Sequence, residues 1–532
     1  MSTAARGEAA DYYGDTGAQD SYNKDRNRNH MQQPQEMYAP PNSQDYQQPP
    51  PNYNQSHAGA PPQQNYSEKP TFDQAFRVDK PKWNDLWAGV LFLAVCAGFV
   101  AVSAIAIQGY AATKGFNGGG IYDSRNDFGL DTNTLVLFVF CLAMAVILSF
   151  AYMWLARTFT KQFIWITGIL NIIFGFATAI YMLSRKYYSG GIVFLLFSIF
   201  TVVCFISWIP RIPFSVLMLQ TSIDVSKRHG HVYLVSFIGG LVATAFGAWY
   251  SVTLVAVYAH YQPGNNPACS TGAGGCSSAK VIGLIVFITF AGYWITEWLK
   301  NTIHTTISGV YGSWYFCSKN FPKGATRGAA RRAITYSFGS ISFGSLIVAI
   351  INCLRQACSI AQRQEAGQGN AVAAIALCVL GCFISILDWA VQFINRYAFS
   401  YIALYGKSYI AAAKETWRVI KDRGIDALVN ECLIGPVLTM GATFIAYACA
   451  LLAYLYLIFT SPAYNSGGAF TPVVVAFAFL IGLQICNIFT TPIASGVDTL
   501  FVAMAFDPEV MIRDHPDLYA RMIAVYPHFY SC

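Results

Sequence analysis

The chain is 532 residues long, 55% hydrophobic and only 11% charged, with a net charge of +7. Soluble domains carry about 25% charged residues, so this composition excludes an ordinary water-soluble globular enzyme. The basic excess does not indicate a nucleic-acid partner, because the Lys and Arg residues lie beside long apolar stretches, where membrane topology accounts for them.

Residues 1–82 form one compositional block rich in Gln, Pro, Asn and Tyr, as in Met37-Tyr38-Ala39-Pro40-Pro41. The block lacks the aliphatic content to bury a core, and a disordered tail is expected. Its Tyr-Pro segments are candidate docking points for cytosolic partners, although a plain solvated tail explains them as well. Because the first 80 residues are polar, no cleavable signal peptide is expected, and the first apolar segment should itself direct insertion.

Ten apolar stretches follow, at 87–107, 135–155, 163–183, 191–209, 236–258, 281–299, 334–353, 371–394, 433–459 and 472–492, and none contains Lys or Arg. About 20 apolar residues span the ~30 Å hydrocarbon layer as a helix. With no water there to satisfy the backbone, each crossing must be a helix or a barrel strand. The stretches are continuously apolar and do not alternate, so the expected fold is an all-α polytopic membrane bundle of about ten helices. The expected divisions are the tail at 1–82, a transport domain at 83–500 and a short cytosolic tail at 501–532. The connections 300–333 and 395–432 are long and amphipathic.

With the N-terminus placed in the cytosol, 27 of the 34 Lys and Arg residues fall on the cytosolic side. Both termini are therefore expected there. On the opposite side, Cys269 and Cys276 share one loop and are a possible disulfide, and Cys353 and Cys358 form a second pair at the end of the seventh span; free thiols are the alternative for each. The Asn54 and Asn65 sequons lie in the cytosolic tail and should stay unmodified.

Ionisable groups inside a membrane tend to face a bundle interior or a watery path. Glu297 ends the sixth span beside Trp294 and Trp298, and Asp388 sits in the eighth beside Trp389. A carboxylate next to aromatic faces suits an organic cation, by neutralisation and cation–π contact. Glu297, Asn301, His304 and Ser308 fall on one helical stripe. This stripe either lines a conduit or faces the cytosol at the membrane edge, with the tryptophans as interface anchors. For Asp388 the rival is an ion pair or hydrogen bond within the bundle. In the tenth span Gln484, Asn487 and Thr491 share a face that ends in Pro492, which reads either as a broken helix beside a cavity or as helix–helix hydrogen bonding. Pro436 should kink the ninth span. His229 and His231 resemble a metal pair only faintly, and no metal or cofactor is expected. Walker loops, dinucleotide fingerprints, HExxH and a GxSxG elbow are all missing, so neither an enzyme nor a nucleotide-driven pump is expected.

Three further segments carry a family resemblance. They are Trp298 to Phe316, Asn395-Arg396-Tyr397-Ala398 running on through Tyr405-Gly406-Lys407-Ser408, and Val497-Asp498-Thr499-Leu500-Phe501 through Phe506-Asp507. In these the chain resembles the choline transporter-like family, and within it the fungal pH-nine-sensitive branch. The first outer loop is about 27 residues long without a sequon, unlike the large glycosylated loop of many animal members. The resemblance implies movement of choline or a related organic cation across the plasma membrane without ATP hydrolysis, with lipid as the surrounding medium. Two other classes stay open: a membrane organiser acting through the tail, and a lipid-handling protein or scramblase with a groove open to lipid. The segment Tyr397–Ser408 is expected either to form an inner gate or to lie on the membrane surface.

Overall fold

A computed structural model describes residues 82–114, 132–186, 188–261, 277–460 and 471–525. Helices α1 (Leu86–Lys114), α2 (Thr132–Thr158), α3 (Thr160–Ser184) and α4 (Tyr188–Trp208) come first. A short 3-10 turn then leads into α5 (Ile212–Arg228), followed by α6 (His231–Tyr261), α7 (Ser278–Phe316), α8 (Ala325–Ile334) and α9 (Phe338–Gly367). The chain continues through α10 (Ala371–Tyr405), α11 (Tyr409–Thr460), α12 (Thr471–Phe506), α13 (Pro508–Asp514) and α14 (Pro516–Val525). Among the described residues there is no strand.

Among the described residues ten helical stretches are long and apolar enough to cross a bilayer, and each overlaps one of the ten expected spans. Their outward surfaces explain why they need lipid. Phe174, Val372 and Phe459 are 75%, 80% and 82% exposed, amid dozens of other exposed large apolar side chains. In water such a surface would aggregate; facing hydrocarbon it has no desolvation to regain. The chain is a multi-pass membrane protein.

The helices do not stop at the expected span boundaries. Helices α7, α10 and α12 run on past the expected boundaries toward the end of the bundle where α1 begins, the proximal end. There Asn301–Phe316, Asn395–Tyr405 and Ile493–Met504 are buried on nearly every side, and they anchor the largest hydrophobic core. The long connections are thus helical, as their amphipathic pattern indicated, but they continue the spans. The residues Tyr397–Tyr405 do not lie on a membrane surface, since Tyr397, Phe399 and Tyr401 are all enclosed. Helix α10 ends at Gly406, which adopts φ +63 as its left-handed cap, and α11 starts three residues later. The division placed at 500 falls inside α12. The segment beyond it folds back as α13 and α14, with Met511, Leu518 and Met522 buried.

Helix α12 passes through Pro492 and α11 through Pro436. The break expected at Pro492 is absent, because packing of Thr490, Pro492 and Ile493 against neighbours holds the helix across the lost hydrogen bond. Small residues allow close helix approach. A Cβ on Gly482 of α12 would come within 2.8 Å of the Ala446 Cα on α11.

The start of α1 is pinned at the proximal end. The Asn84 amide donates to the Gly406 carbonyl (2.8 Å), and the Asp85 carboxylate accepts from the Ser340 hydroxyl (2.7 Å) and from the Tyr409 backbone N–H (2.8 Å). The clamp requires a glycine at 339, where a Cβ would sit 2.3 Å from the Asn84 carbonyl oxygen and 2.4 Å from that of Asp85. Backbone atoms cannot rotate away, so Gly339→Ala is expected to lower stability by about 1–3 kcal/mol, measured as a reduced unfolding temperature in detergent. An unchanged value would mean that α1 docks without this contact.

Candidate functional site

The strongest candidate is a cavity of about 470 Å³ between α6, α7, α10 and α12. Helix α7 supplies Thr296, Lys300, Asn301 and His304, and α12 supplies Gln484, Asn487, Thr491, Ser495 and Asp498. Arg396 of α10 closes one wall. On the α6 side, Gly239 and Gly240 leave the backbone bare, which makes room beside α7 and α12.

The wall residues are held by hydrogen bonds to neighbouring helices. The Asn301 amide donates to the Ser345 hydroxyl at 2.9 Å. His304 is buried, with Nδ1 3.0 Å from the Ser495 hydroxyl and Nε2 2.9 Å from the Arg396 carbonyl and 3.0 Å from the Ser400 hydroxyl. With a carbonyl at Nε2, the ring places its proton there, and Nδ1 accepts from Ser495. One imidazole therefore ties α7 to α10 and α12 at the edge of the cavity. Asn301, His304 and Ser308 are buried, so the stripe they form does not face solvent.

Of the residues expected to bind, Asn301, His304, Gln484 and Asn487 are brought together here. The others lie elsewhere. Trp294 is fully buried, donates its indole N–H to the Ser342 carbonyl at 2.9 Å and packs edge-on against Phe92. Trp298 stacks on that same Phe92 ring, 5.1 Å between centroids. Both tryptophans join α7 to α1 and α9 and are neither interface anchors nor cavity walls. Glu297 turns away from the cavity and pairs with Lys300 at 3.4 Å. Asp388 forms the ion pair that was the rival reading, 3.0 Å from Arg355 of α9, and its other oxygen accepts from Gln392. Trp389 is 50% exposed on the outer surface and stacks on Phe393. The carboxylate–tryptophan boxes therefore do not form. Sequence neighbours on a helix point in directions 100° apart, so Glu297 and Trp298, or Asp388 and Trp389, face different ways, while Trp294, three residues from Glu297, is committed to Ser342 and Phe92. Among the described residues no Trp, Tyr or Phe lines the cavity, and its one carboxylate is Asp498.

Asp498, Arg396, Lys300 and Ser495 were missed by sequence reasoning. A signal for two of them existed: the face of Gln484, Asn487 and Thr491 continues at helical spacing through Ser495 to Asp498. Taking Pro492 as the end of the helix cut the stripe short.

Cys353 and Cys358 are free thiols on α9, which runs past the expected loop to Gly367, and the Cys358 thiol faces the Leu377 carbonyl at 3.2 Å. Cys269 and Cys276 lie outside the described residues, as do the sequons and residues 1–81. His229 caps the end of α5 and stacks on Phe321, 4.0 Å between centroids. Burial lowers its pKa to about 4, with the charge of nearby Arg228 adding to the effect, so the ring is neutral at physiological pH. Among the described residues no group of three His, Cys, Asp or Glu side chains is placed to hold a metal.

A family model described as plasma-membrane choline transporter matches residues 192–509. The protein pns1 of Aspergillus fumigatus is 63% identical over 486 residues, covering 90% of this chain and 88% of that protein. PNS1 of Neurospora crassa is 64% identical over 459 residues (86% and 83%), and PNS1 of Saccharomyces cerevisiae 43% identical over 466 residues (86% of each). The matched span contains the whole cavity, from Ser236 to Asp498.

Proposed function

The chain belongs to the choline transporter-like family, in its fungal pH-nine-sensitive branch, and from that premise we propose that it is a plasma-membrane carrier of choline or a related small organic cation, working without ATP hydrolysis. The observation that carries this reading is the polar cavity embedded among apolar spans. Polar groups inside a membrane cost free energy and are kept where they pair with one another or contact solute or water, and those gathered around an open cavity suit the second role. Amides from Asn301, Gln484 and Asn487 offer hydrogen bonds to a substrate hydroxyl, and Asp498, which shares the cavity wall with the Arg396 guanidinium, is the carboxylate that a quaternary ammonium would engage. The positive charge of Lys300 at the rim is balanced by Glu297. That gives Glu297 a supporting role at one remove from the substrate.

The Lys/Arg asymmetry supports an orientation with both termini in the cytosol. The proximal end, with its buried helix extensions, is then the cytosolic end, and residues 1–82 form a cytosolic tail available to partners. The missing aromatic wall separates this site from an aromatic cage, so recognition rests on Asp498 and the amides.

The test is uptake of labelled choline into vesicles holding the purified full-length chain. Uptake above empty vesicles is expected, with a loss of at least about tenfold in Asp498→Asn, since a charge-assisted contact contributes roughly 1.5–3 kcal/mol. Uptake no greater than in empty vesicles overturns the reading. Uptake that Asp498→Asn leaves intact removes the cavity from it.

A further inference from the structure

Away from the transport cavity, at the proximal end, α5, the end of α7 and the α13–α14 segment enclose a second cavity of about 340 Å³. Its wall carries charges of both signs and one large aromatic face. Two of its carboxylates are already committed. Asp224 receives both guanidinium arms of Arg157 at 2.7 Å, and Asp514 is held by Lys319 at 3.0 Å and Arg513 at 2.8 Å. Burial alone would raise the Asp514 pKa, but the two cations outweigh it and hold the carboxyl below its ordinary value, so it stays ionised and engaged.

Three charges on the wall are not committed in this way. Among the described residues, Arg228, Arg521 and the Asp517 carboxylate form no ion pair, and Arg521 reaches only the Asp517 backbone carbonyl, at 3.4 Å. Opposite charges thus border one void without neutralising each other. Beside them lies the Trp314 indole, tilted against His515 with 4.4 Å between ring centroids. Burial lowers the pKa of His515, so this neighbour is a neutral ring and does not repel a cation.

We infer that this cavity binds a zwitterionic phosphate ester, with its phosphate between Arg228 and Arg521 and its ammonium group between Asp517 and the Trp314 ring. Two guanidinium groups are the preferred partners of phosphate oxygens. A carboxylate with an indole face is a good receptor for an alkylated ammonium. Neither half-ligand satisfies the whole wall: a plain cation leaves two unpaired arginines on it, and a plain anion leaves the Asp517 carboxylate unpaired. Arg521 also borders an adjoining cavity of about 320 Å³ that reaches Lys161 at the start of α3. The phosphate side therefore opens toward the edge of the spans, where a lipid headgroup or a free phosphate ester can enter.

The site lies outside the transport cavity and its test reads binding alone, so its failure leaves the transport reading untouched. The full-length chain in a nonionic detergent is titrated calorimetrically with phosphocholine, choline chloride and inorganic phosphate. In a second arm, native mass spectrometry counts phosphatidylcholine retained from mixed phosphatidylcholine–phosphatidylglycerol nanodiscs. Both arms include the double variant Arg228→Gln/Arg521→Gln and the single variant Asp517→Asn; these side chains are exposed, and an unchanged unfolding temperature confirms that the fold is kept. Phosphocholine binding that exceeds both half-ligands, and weakens at least about tenfold in each variant, assigns a soluble ester. Phosphatidylcholine retained by the wild type and lost from each variant, without binding of free phosphocholine, assigns a headgroup. Signals that the variants leave unchanged, inorganic phosphate binding as tightly as phosphocholine, or no binding in either arm overturns the inference.

Discussion

Arg355→Ala is expected to destabilise the protein by about 3–5 kcal/mol, more than the loss of any of its exposed ion pairs. Its partner Asp388 is 5% exposed, and the two belong to a connected polar chain across three helices. Arg355 also donates to the Asn352 side chain at 2.7 Å. Gln392 donates to Asp388 at 3.0 Å, and Lys300 lies 3.4 Å from both Gln392 and Glu297. Removing the guanidinium leaves a carboxylate inside the bundle without its charged partner. Asp388→Asn is expected to be milder. It keeps an acceptor for Gln392, while Arg355, about half exposed along its side chain, can reach toward a polar boundary. Replacing both partners by leucine should recover most of the loss, because an apolar pair of similar volume avoids desolvation altogether. Unfolding temperatures of the two single variants and the double variant in detergent give the order directly. An Arg355→Ala protein as stable as the wild type would show that the ion pair contributes nothing.

Asp85→Ala is expected to cost about 2–4 kcal/mol, combining a lost helix cap, the bond from the Tyr409 N–H, with the loss of one further charge-assisted hydrogen bond, from Ser340. One oxygen of this carboxylate caps the first N–H of α11, a helix of 52 residues, from a position 324 residues earlier in the chain. A negative charge there also complements the positive end of the helix dipole. The same oxygen accepts from Ser340 at the start of α9. Asp85 thus fastens α1, α9 and the α10–α11 junction together at the proximal end. Its φ of +51 is a conformation that Asp and Asn adopt more readily than most residues. Asp85→Asn keeps an acceptor and the backbone preference, and is expected to recover at least half of the loss. Hydrogen exchange of the first turn of α11 is the discriminating measurement: it should accelerate strongly in Asp85→Ala and only weakly in Asp85→Asn. Equal exchange in both variants and the wild type would show that the cap is formed by another group.

The sites were legible in the sequence to different degrees. Asn301, His304, Gln484 and Asn487 were found as polar positions at helical spacing on apolar helices, and they do line one cavity. Glu297 and Asp388 obeyed the same rule, yet they serve ion pairs, because the rule identifies polar groups that need a partner without naming the partner. Arg355 was invisible as a partner: it lies two residues past the expected end of its span, and α9 continues for 12 residues beyond it. Asp498 was lost to the reading of Pro492 as a terminator, which holds for an isolated helix in water but not for one packed on several sides.

By itself the sequence determined that the described residues hold ten helices long and apolar enough to cross a membrane, and which apolar stretch lies in each. That information is local: a run of apolar residues long enough to span hydrocarbon must form its own hydrogen bonds within the segment. Only the tertiary structure decided which polar groups meet, that α7, α10 and α12 extend into a buried proximal core, and that Asp85 caps a helix 324 residues away. Those outcomes depend on helix rotation and on contacts between distant segments, which the composition of a single span does not encode.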